Sequence, residues 1–242
     1  MLNANAYIYE EPDAWNGTLL KSPFERQRLE ILAGLIPKDA LKIVDIGCGD
    51  GSLASLLPRS KLIFGVDYSS SGLLKATHIQ GVRGDAGRLG FRDQCCDLAI
   101  CTEVMEHLDD STFLKCVKEL DRISRKYLLF TVLYKEQLLN HYSKCNKCRF
   151  IFHAWGHLRA FGKREDILQL FPSWELIVEA GVGFQLRFKP SIMVWIRKYI
   201  MGRWSWDRST VCPRCGSLEG RRENLRVKSI KCGFWKELNG GV

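Results

Sequence analysis

The feature that most constrains the fold of this chain is an apolar segment that runs directly into closely spaced glycines. Residues 43–46, Ile-Val-Asp-Ile, are followed by Gly47, Gly49 and Gly51, and a helical pattern begins at Ser52. Glycine lets the backbone turn tightly and approach a ligand, and the free N–H groups at a helix start can bind that ligand. The segment therefore predicts a strand, a ligand-binding loop and a helix in succession.

Short apolar runs alternate with helical patterns through most of the chain. Strands are expected over residues 41–46, 62–66, 97–101, 127–133, 174–180 and 184–188, with one more ending at Gly84. Helices are expected over residues 23–35, 52–57, 71–79, 111–123 and 163–171. Strands that alternate with helices indicate βαβ units and a parallel sheet covered on both faces. The sequence therefore predicts an α/β protein with a doubly wound, seven-stranded, Rossmann-like sheet.

The rhythm of strands and helices divides the chain into three regions. We assign residues 1–36 to an N-terminal helical segment, residues 37–189 to a ligand-binding domain with an insertion at 134–162, and residues 190–242 to a C-terminal tail. From Arg187 onward there are 13 Lys and Arg against 4 Asp and Glu, whereas the other 186 residues hold 23 of each sign. A basic tail favours contact with an anionic partner, such as a phosphate, a nucleic acid or a membrane surface. A solvated basic face without a partner is the alternative.

No apolar run approaches the length of about 20 residues that a transmembrane helix needs. The first residues also lack the basic and apolar regions of a signal peptide. We therefore expect a cytoplasmic protein, with peripheral attachment to a membrane through the basic tail as an additional hypothesis.

Acidic residues follow the next two predicted strands. Asp67 ends the second strand, where its carboxylate could accept hydrogen bonds from ribose hydroxyls beside the glycine loop. Asp85 follows Gly84 at the end of the third strand and could meet an adenine amino group. A nicotinamide-dependent dehydrogenase would require Gly-x-Gly-x-x-Gly, whereas this loop reads Gly-x-Gly-x-Gly. The pattern therefore disfavours a nicotinamide-dependent dehydrogenase.

Four segments together resemble the class I S-adenosylmethionine-dependent methyltransferases. They are VDIGCGDG at residues 44–51, GVD at 65–67, GDA at 84–86 and DLAICTEVMEHL at 97–108. The resemblance implies that residues 37–189 form a methyltransferase domain and that S-adenosyl-L-methionine is its cofactor. The cofactor-binding residues that it implies are Asp45, Gly47, Gly49, Gly51, Asp67, Asp85, Ala86 and Glu103.

Two histidines are candidate catalytic residues. The sulfonium group of the cofactor already provides a good leaving group, so the protein mainly aligns the acceptor with the methyl group. A base is needed only where the acceptor must lose a proton. His107, which follows the fourth motif, is the first candidate, although it could instead cap or pack against the next helix. His157, in the insertion, is the second.

The sequence narrows the class of methyl acceptor. None of the seven prolines is followed by Pro or Cys, so the signatures of the enzymes that methylate base amines or cytosine carbon are missing. The segment FH-x2-GHLRAF at residues 152–161 resembles bacterial methyltransferases of surface polysaccharide or lipid. We therefore expect a small-molecule, glycan or lipid substrate. Nucleic acid is disfavoured but not excluded: the alternatives are an RNA methyltransferase and a non-catalytic, zinc-containing nucleic-acid-binding protein on the same scaffold.

Two Cys-x2-Cys pairs predict a structural Zn²⁺ site. The pairs are Cys145 with Cys148 and Cys212 with Cys215. Paired thiolates at this spacing are typical of tetrahedral four-cysteine zinc sites. Such an ion would staple the insertion to the tail. The alternative is a local site made of Cys145, Cys148, His153 and His157.

The tail begins with an apolar stripe at helical spacing. The stripe consists of Ile192, Trp195, Ile196, Tyr199, Ile200 and Trp204. We expect these side chains to clasp the sheet or the zinc module. An amphipathic helix on an anionic bilayer is the alternative.

Overall fold

A five-stranded parallel sheet forms the centre of the protein. The computed structural model describes residues 9–10, 15, 18–182, 189–205 and 210–217. The strands are β1 (Lys42–Ile46), β2 (Leu62–Asp67), β3 (Gln80–Arg83), β4 (Cys96–Cys101) and β5 (Ser124–Phe130). Their order is β3-β2-β1-β4-β5, and every neighbouring pair is parallel. The predicted α/β class and parallel sheet are confirmed.

The order of the strands locates a ligand crevice. From β1 the chain crosses first to β2 and β3 on one side and later to β4 and β5 on the other. In open α/β sheets, the connections after the two strands at such a reversal diverge and leave a crevice at their carboxyl ends. The glycine loop after β1 and the segment after β4 therefore border the same crevice.

Helices cover both faces of the sheet. They are α1 (Thr18–Lys21), α2 (Pro23–Leu35), α3 (Ser52–Ser55), α4 (Ser70–Leu73) and α5 (Asp110–Ile123). The start of α2 has Pro23 in the first turn, and Ser22 accepts a hydrogen bond from the Glu25 N–H. One hydrophobic core lies under α2 and α3, and a second lies under α5. The sheet is therefore doubly wound, as predicted.

Several predicted elements differ from those in the structure. Residues 174–180 contain no regular secondary structure, and Ile177 in this segment is 78% exposed. Alternating apolar residues favour an extended backbone. A strand also needs a neighbouring strand to which its N–H and C=O groups can form hydrogen bonds. The strand expected over 174–180 is therefore wrong, and the one expected over 184–188 lies outside the described residues. Two helices are shorter than expected. The one predicted over 71–79 corresponds to α4, and the one predicted over 163–171 corresponds to α6 (Arg164–Leu168).

The insertion forms a small antiparallel hairpin beside the sheet. A 3₁₀ turn (Leu138–His141) leads into β6 (Tyr142–Lys144), which pairs with β7 (Ile151–His153). Backbone bonds fix the insertion to the central domain, since the Leu158 N–H donates to the Glu106 carbonyl at 2.7 Å. The Arg159 guanidinium donates to the Met105 carbonyl at 2.7 Å. The end of the insertion is thereby held against the segment that follows β4.

The tail helix presents a different face to the protein from the one predicted. It consists of α7 (Ser191–Trp195) and a continuing π-helical turn (Ile196–Ile200). Val194 and Lys198, which are four residues apart and share one face, are its buried side chains. Five members of the apolar stripe are exposed, namely Ile192, Trp195, Ile196, Tyr199 and Ile200. The prediction that this stripe clasps the protein is therefore wrong. No helix within the described ranges is long and apolar enough to span a bilayer.

Candidate cofactor and metal sites

The loop after β1 requires glycine at the predicted positions. Gly47, Gly49 and Gly51 have φ angles of +75°, +53° and +72°, in the left-handed region that other residues rarely adopt. A Cβ atom on Gly47 would lie 2.1 Å from a methyl carbon of Val104, and one on Gly49 would lie 2.4 Å from the ring of Trp15. At these two positions, the missing side chain makes room for Val104 and Trp15.

Asp67 lies opposite this loop at the end of β2. Its Oδ2 accepts a hydrogen bond from the Gly49 N–H at 2.8 Å, and its Oδ1 accepts one from the Ser69 N–H at 2.7 Å. Burial raises the pKa of this carboxyl, while these backbone bonds oppose the rise. Each oxygen retains a second lone pair. The carboxylate is thus fixed in place with capacity to accept two hydroxyl donors, which fits a ribose.

Two further carboxyl groups are buried beside the crevice and have oxygens that lack a hydrogen-bond partner within the described part of the chain. Oδ1 of Asp45 and both side-chain oxygens of Glu106 have no partner among the described atoms. Burial, with a contribution from Asp67, raises the pKa of Asp45 to about 7. Burial and then Glu103 raise the pKa of Glu106 to about 8. Buried polar groups are normally paired, so these two carboxyls fit a ligand that carries an ammonium group.

The remaining predicted cofactor residues lie around the rim. Glu103 follows β4 with a φ of +55°, and its Oε1 accepts a hydrogen bond from the Thr131 hydroxyl at 2.8 Å. Non-glycine residues held in this conformation concentrate at functional sites. Asp85 is exposed and accepts a bond at 2.8 Å from the N–H two residues later, which closes a turn beside Ala86. The adenine contacts of Asp85 and Ala86 stay predictions.

Aromatic residues near the N-terminus lie across the crevice, which the sequence did not predict. The Trp15 indole N–H donates to the Tyr9 carbonyl at 2.6 Å and to the Ser69 hydroxyl at 3.1 Å. The Glu10 carboxylate accepts bonds from the backbone N–H groups that open α4. Burial, together with nearby carboxylates such as Glu106, raises the pKa of the Tyr9 hydroxyl. Tyr9, Glu10 and Trp15 are therefore part of the site.

The structure brings the two candidate catalytic histidines together. The rings of His107 and His157 meet edge to face, with centroids 4.9 Å apart. Oε2 of Glu136, which the sequence did not single out, lies 2.8 Å from Nδ1 of His157. A carboxylate accepts hydrogen bonds, so the contact with Glu136 favours the tautomer of neutral His157 in which Nδ1 carries the proton and Nε2 carries the lone pair. Burial and then His157 lower the pKa of His107 to about 3, so His107 is neutral at physiological pH.

The four predicted cysteine ligands also converge. The Sγ atoms of Cys145 and Cys215 are 3.6 Å apart, as are those of Cys148 and Cys212. All four sulfur atoms lie within 4.8 Å of one another. A tetrahedral zinc site with Zn–S bonds of about 2.3 Å has S–S separations of about 3.8 Å. The arrangement therefore has the dimensions of a zinc site.

The two cysteine pairs form equivalent turns. Arg149 and Gly216 each follow the second cysteine of a pair, with φ angles of +62° and +67°. The N–H of each donates to the carbonyl of the first cysteine at 2.9 Å. Arginine thus adopts at one turn the left-handed conformation that glycine adopts without strain at the other.

The structure does not bring the two histidines of the alternative metal site next to the cysteines. His153 and His157 cluster with Glu136 and not with the cysteine sulfurs. Nδ1 of His153 accepts a bond from the His157 N–H at 3.1 Å. Cys232, the remaining tail cysteine, lies outside the described residues.

Comparison with known proteins finds one matching family model and several solved structures with a similar fold. Residues 44–128 match a family model described as a methyltransferase domain. A similar solved structure is a protein of Pyrococcus horikoshii OT3, which is 22% identical, with 69% of this chain and 91% of that chain covered and a TM-score of 0.53.

Two further structures with the same fold are named as methyltransferases. A "possible histamine N-methyltransferase" of Thermotoga maritima is 22% identical, covers 72% of this chain and 80% of its own, and has a TM-score of 0.52. The N-methyltransferase NodS of Bradyrhizobium japonicum WM9 was solved with S-adenosyl-L-homocysteine. It is 19% identical, with 71% of this chain and 85% of that chain covered, and has a TM-score of 0.51. The match at residues 44–128 supports a methyltransferase domain, and the three solved structures share their fold with this chain.

Proposed function

We propose that this protein transfers the methyl group of S-adenosylmethionine to a small-molecule, glycan or lipid acceptor. The observation that carries the proposal is the Asp67 carboxylate, which the Gly49 N–H fixes at 2.8 Å while lone pairs stay free for a ribose. This carboxylate lies at the carboxyl end of β2, next to the glycine loop, as the resemblance to the methyltransferases requires.

The residues around the crevice have complementary roles in this proposal. When bound, S-adenosylmethionine supplies an electrophilic methyl group on a sulfonium centre. Asp67 holds the ribose hydroxyls, and Asp45 and Glu106 neutralise the ammonium group of the amino-acid end. Gly47, Gly49 and Gly51 let the loop adopt the left-handed turns at this edge, and Val104 and Trp15 pack against the first two.

His157 is the group best arranged to act as a base. Oε2 of Glu136 lies 2.8 Å from Nδ1 of His157 and accepts its hydrogen bond. Nε2 of His157 can then accept a proton from a hydroxyl or an acidic carbon of the methyl acceptor. Glu136 is a positioning residue in this scheme, because it fixes the tautomer and the ring orientation and stabilises the imidazolium that forms. His107 packs against His157, and its strongly lowered pKa makes it a weak base.

The acceptor class is tested by transfer of a tritiated methyl group to fractionated cell extract. We expect label in the small-molecule, glycan or lipid fraction. Label confined to RNA would contradict the proposed acceptor and support an RNA methyltransferase. The non-catalytic alternative is not favoured, because a scaffold has no need of the acidic and glycine residues that line the crevice, Asp45, Gly47, Gly49, Asp67 and Asp85.

A His157→Gln variant is expected to lower kcat by a factor of about 10²–10⁴, the usual contribution of a positioned base. Its affinity for S-adenosylhomocysteine should stay unchanged, because the change removes the base and not the ribose contact. His78→Gln is the matched control, since His78 is exposed and its Nε2 contacts Arg59 at 3.2 Å. The labelled fraction supplies the substrate for the rate measurement. An unchanged kcat would show that the acceptor needs no base from His157.

We further propose that Cys145, Cys148, Cys212 and Cys215 bind one structural Zn²⁺ ion. The separations of their sulfur atoms support this proposal. Cys145 and Cys148 connect β6 to β7, and β7 ends at His153 in the histidine cluster. The ion would therefore fix the hairpin to the tail and help to hold the histidines in place.

The raised pKa of Glu106 predicts a stability that depends on pH. Between its unfolded value of 4.5 and about 8, Glu106 binds its proton more tightly in the folded state, so stability is lost as the pH rises through that range. Wild type should lose about 1 kcal/mol of unfolding free energy relative to Glu106→Gln between pH 6.5 and 7.5. Urea unfolding of both proteins without ligand measures this difference. A constant difference across this range would mean that Glu106 does not titrate there.

A further inference from the structure

A cavity of about 450 Å³ lies between the insertion and the tail helix, outside the cofactor crevice. Its wall combines two guanidinium groups, those of Arg197 and Arg203, with the aromatic side chains of His141, Trp155 and Trp204. Cavities of roughly 300–1,000 Å³ bind small organic molecules. The space is therefore adequate for a ligand that has both a charged group and a ring.

The charge of the cavity wall is positive. None of the described residues that line the cavity is acidic, and neither arginine forms a salt bridge within the described part of the chain. Nε of Arg197 is buried and has no hydrogen-bond partner among the described atoms. Protein atoms enclose that nitrogen, so a ligand in the cavity can meet Arg197 only at its terminal nitrogens, where charge-assisted bonds to an anion are strong.

A lysine behind the wall adds a third positive charge. Nζ of Lys198 is buried and donates to the Tyr142 carbonyl at 2.7 Å and to the Ser205 hydroxyl at 2.9 Å. Ser205 itself lines the cavity. Burial, with a contribution from Arg197, lowers the pKa of Lys198 to about 8. Three positive charges match the charge of a phosphate or diphosphate better than that of a single carboxylate.

The aromatic residues give the cavity flat apolar surfaces. Trp155 packs against His141 with ring centroids 4.3 Å apart, and Trp204 packs against Tyr199 at 5.0 Å. Rings held in this way by their neighbours can stack on a sugar or a base without a large loss of conformational freedom.

The cavity adjoins the histidine cluster of the proposed active site. The Trp155 ring is 5.9 Å from the His157 ring, and the His141 ring is 5.8 Å from the His153 ring. A ligand anchored in the cavity by one end could therefore extend toward His157 with the other.

From this arrangement we infer that the cavity binds the phosphate-bearing end of the methyl acceptor, an organic phosphate or diphosphate that carries a ring. Arg197 and Arg203 bind the phosphate oxygens, and Trp155 and Trp204 contact the ring. The role as an acceptor site rests on the proposed function, whereas the binding of organic phosphate does not.

The inference is tested by isothermal titration of the full-length protein with three probes, namely UDP, inorganic pyrophosphate and uridine. We expect UDP to bind most tightly because it has both the charge and the ring, pyrophosphate more weakly because it lacks the ring, and uridine not measurably because it lacks the charge. Arg197→Gln and Arg203→Gln should each weaken UDP binding about tenfold or more, the effect of losing a charge-assisted bond. Arg92→Gln, a change at an exposed arginine outside the cavity, should have no effect.

Several outcomes would overturn the inference. One is UDP affinity that neither cavity variant lowers, and another is uridine binding as tight as that of UDP. The exposed side chain of Arg203 makes its variant a safeguard if Arg197→Gln folds poorly. A uridine oligonucleotide that binds about tenfold more tightly than UDP, with a steep salt dependence, would indicate a nucleic-acid site instead.

Two additional measurements identify the source of the phosphate and separate this inference from the proposed function. The first is cosedimentation with lipid vesicles. Binding to phosphatidylglycerol vesicles but not to phosphatidylcholine vesicles, with loss of this binding in Arg203→Gln, would identify a lipid headgroup as the source of the phosphate. Titration of the same preparation with S-adenosylhomocysteine tests the cofactor site alone. A protein that binds UDP but not S-adenosylhomocysteine would support the phosphate site and contradict the proposed methyltransferase function. A protein that binds S-adenosylhomocysteine but not UDP would contradict only the phosphate site.

Discussion

An Asp67→Ala variant is expected to lose affinity for S-adenosylhomocysteine by at least about a hundredfold. Two charge-assisted bonds to ribose hydroxyls are each worth roughly 1.5–3 kcal/mol, so their combined loss corresponds to a factor of about 10²–10⁴. The change also removes the acceptor of the Gly49 N–H, which helps to fix the glycine loop. Isothermal titration of both proteins measures the effect.

Two variants show which part of this loss comes from the ribose. Asp67→Asn retains an oxygen that can accept the Gly49 bond but lacks the negative charge, so we expect an intermediate affinity. Asp166→Ala removes an exposed carboxylate on α6 and should bind the ligand as wild type does. Wild-type affinity in a folded Asp67→Ala protein would contradict the assignment of Asp67 and weaken the case for this cofactor.

The glycine loop and the acidic end of β2 were predictable because their chemistry is local. Strand β1 is buried from Ile43 to Ile46, three of these four residues are apolar, and the left-handed glycines follow it immediately. Parallel pairing then places Asp45 beside Gly65 and brings the ends of β1 and β2 together. Neighbouring residues and one topological rule were enough to locate Asp67 at the crevice.

The residues that the sequence did not single out depend on contacts between distant segments. Tyr9 lies 98 positions from His107, yet its hydroxyl is 3.1 Å from Nε2 of that ring. Glu136 lies 21 positions from His157 and in an irregular segment. Neither residue belongs to a periodic pattern, so no local signal distinguishes them from the other tyrosines and glutamates of the chain.

The tail helix shows a different limit of sequence reasoning. Helical spacing correctly predicts which residues share a face, but it does not say which face meets the protein. Here Lys198 is buried because its ammonium group reaches the Tyr142 carbonyl and the Ser205 hydroxyl, whereas the apolar Ile200 on the other side is exposed. Specific hydrogen bonds thus outweigh the usual preference for burying the apolar stripe.

The cysteine cluster supports the second prediction of large effect. The purified protein is expected to carry about one zinc ion per chain. Cys145→Ser and Cys212→Ser should both lose it, because a tetrahedral thiolate site fails when any one ligand is removed. Cys95→Ser changes a thiol outside the cluster and should retain the ion. Metal analysis by mass spectrometry after gel filtration distinguishes these results.

Loss of the ion should affect the insertion and tail more than the cofactor site. The glycine loop and Asp67 belong to β1 and β2, whereas the cysteine ligands lie in the β6–β7 hairpin and in the tail. Cys212→Ser should therefore bind S-adenosylhomocysteine at least in part, while its hairpin and tail become sensitive to protease. An ion that Cys212→Ser retains but a His153→Ala variant loses would show that the histidines are ligands and that no staple exists. Equal protease sensitivity in wild type and Cys212→Ser would show that the metal does not hold the hairpin to the tail.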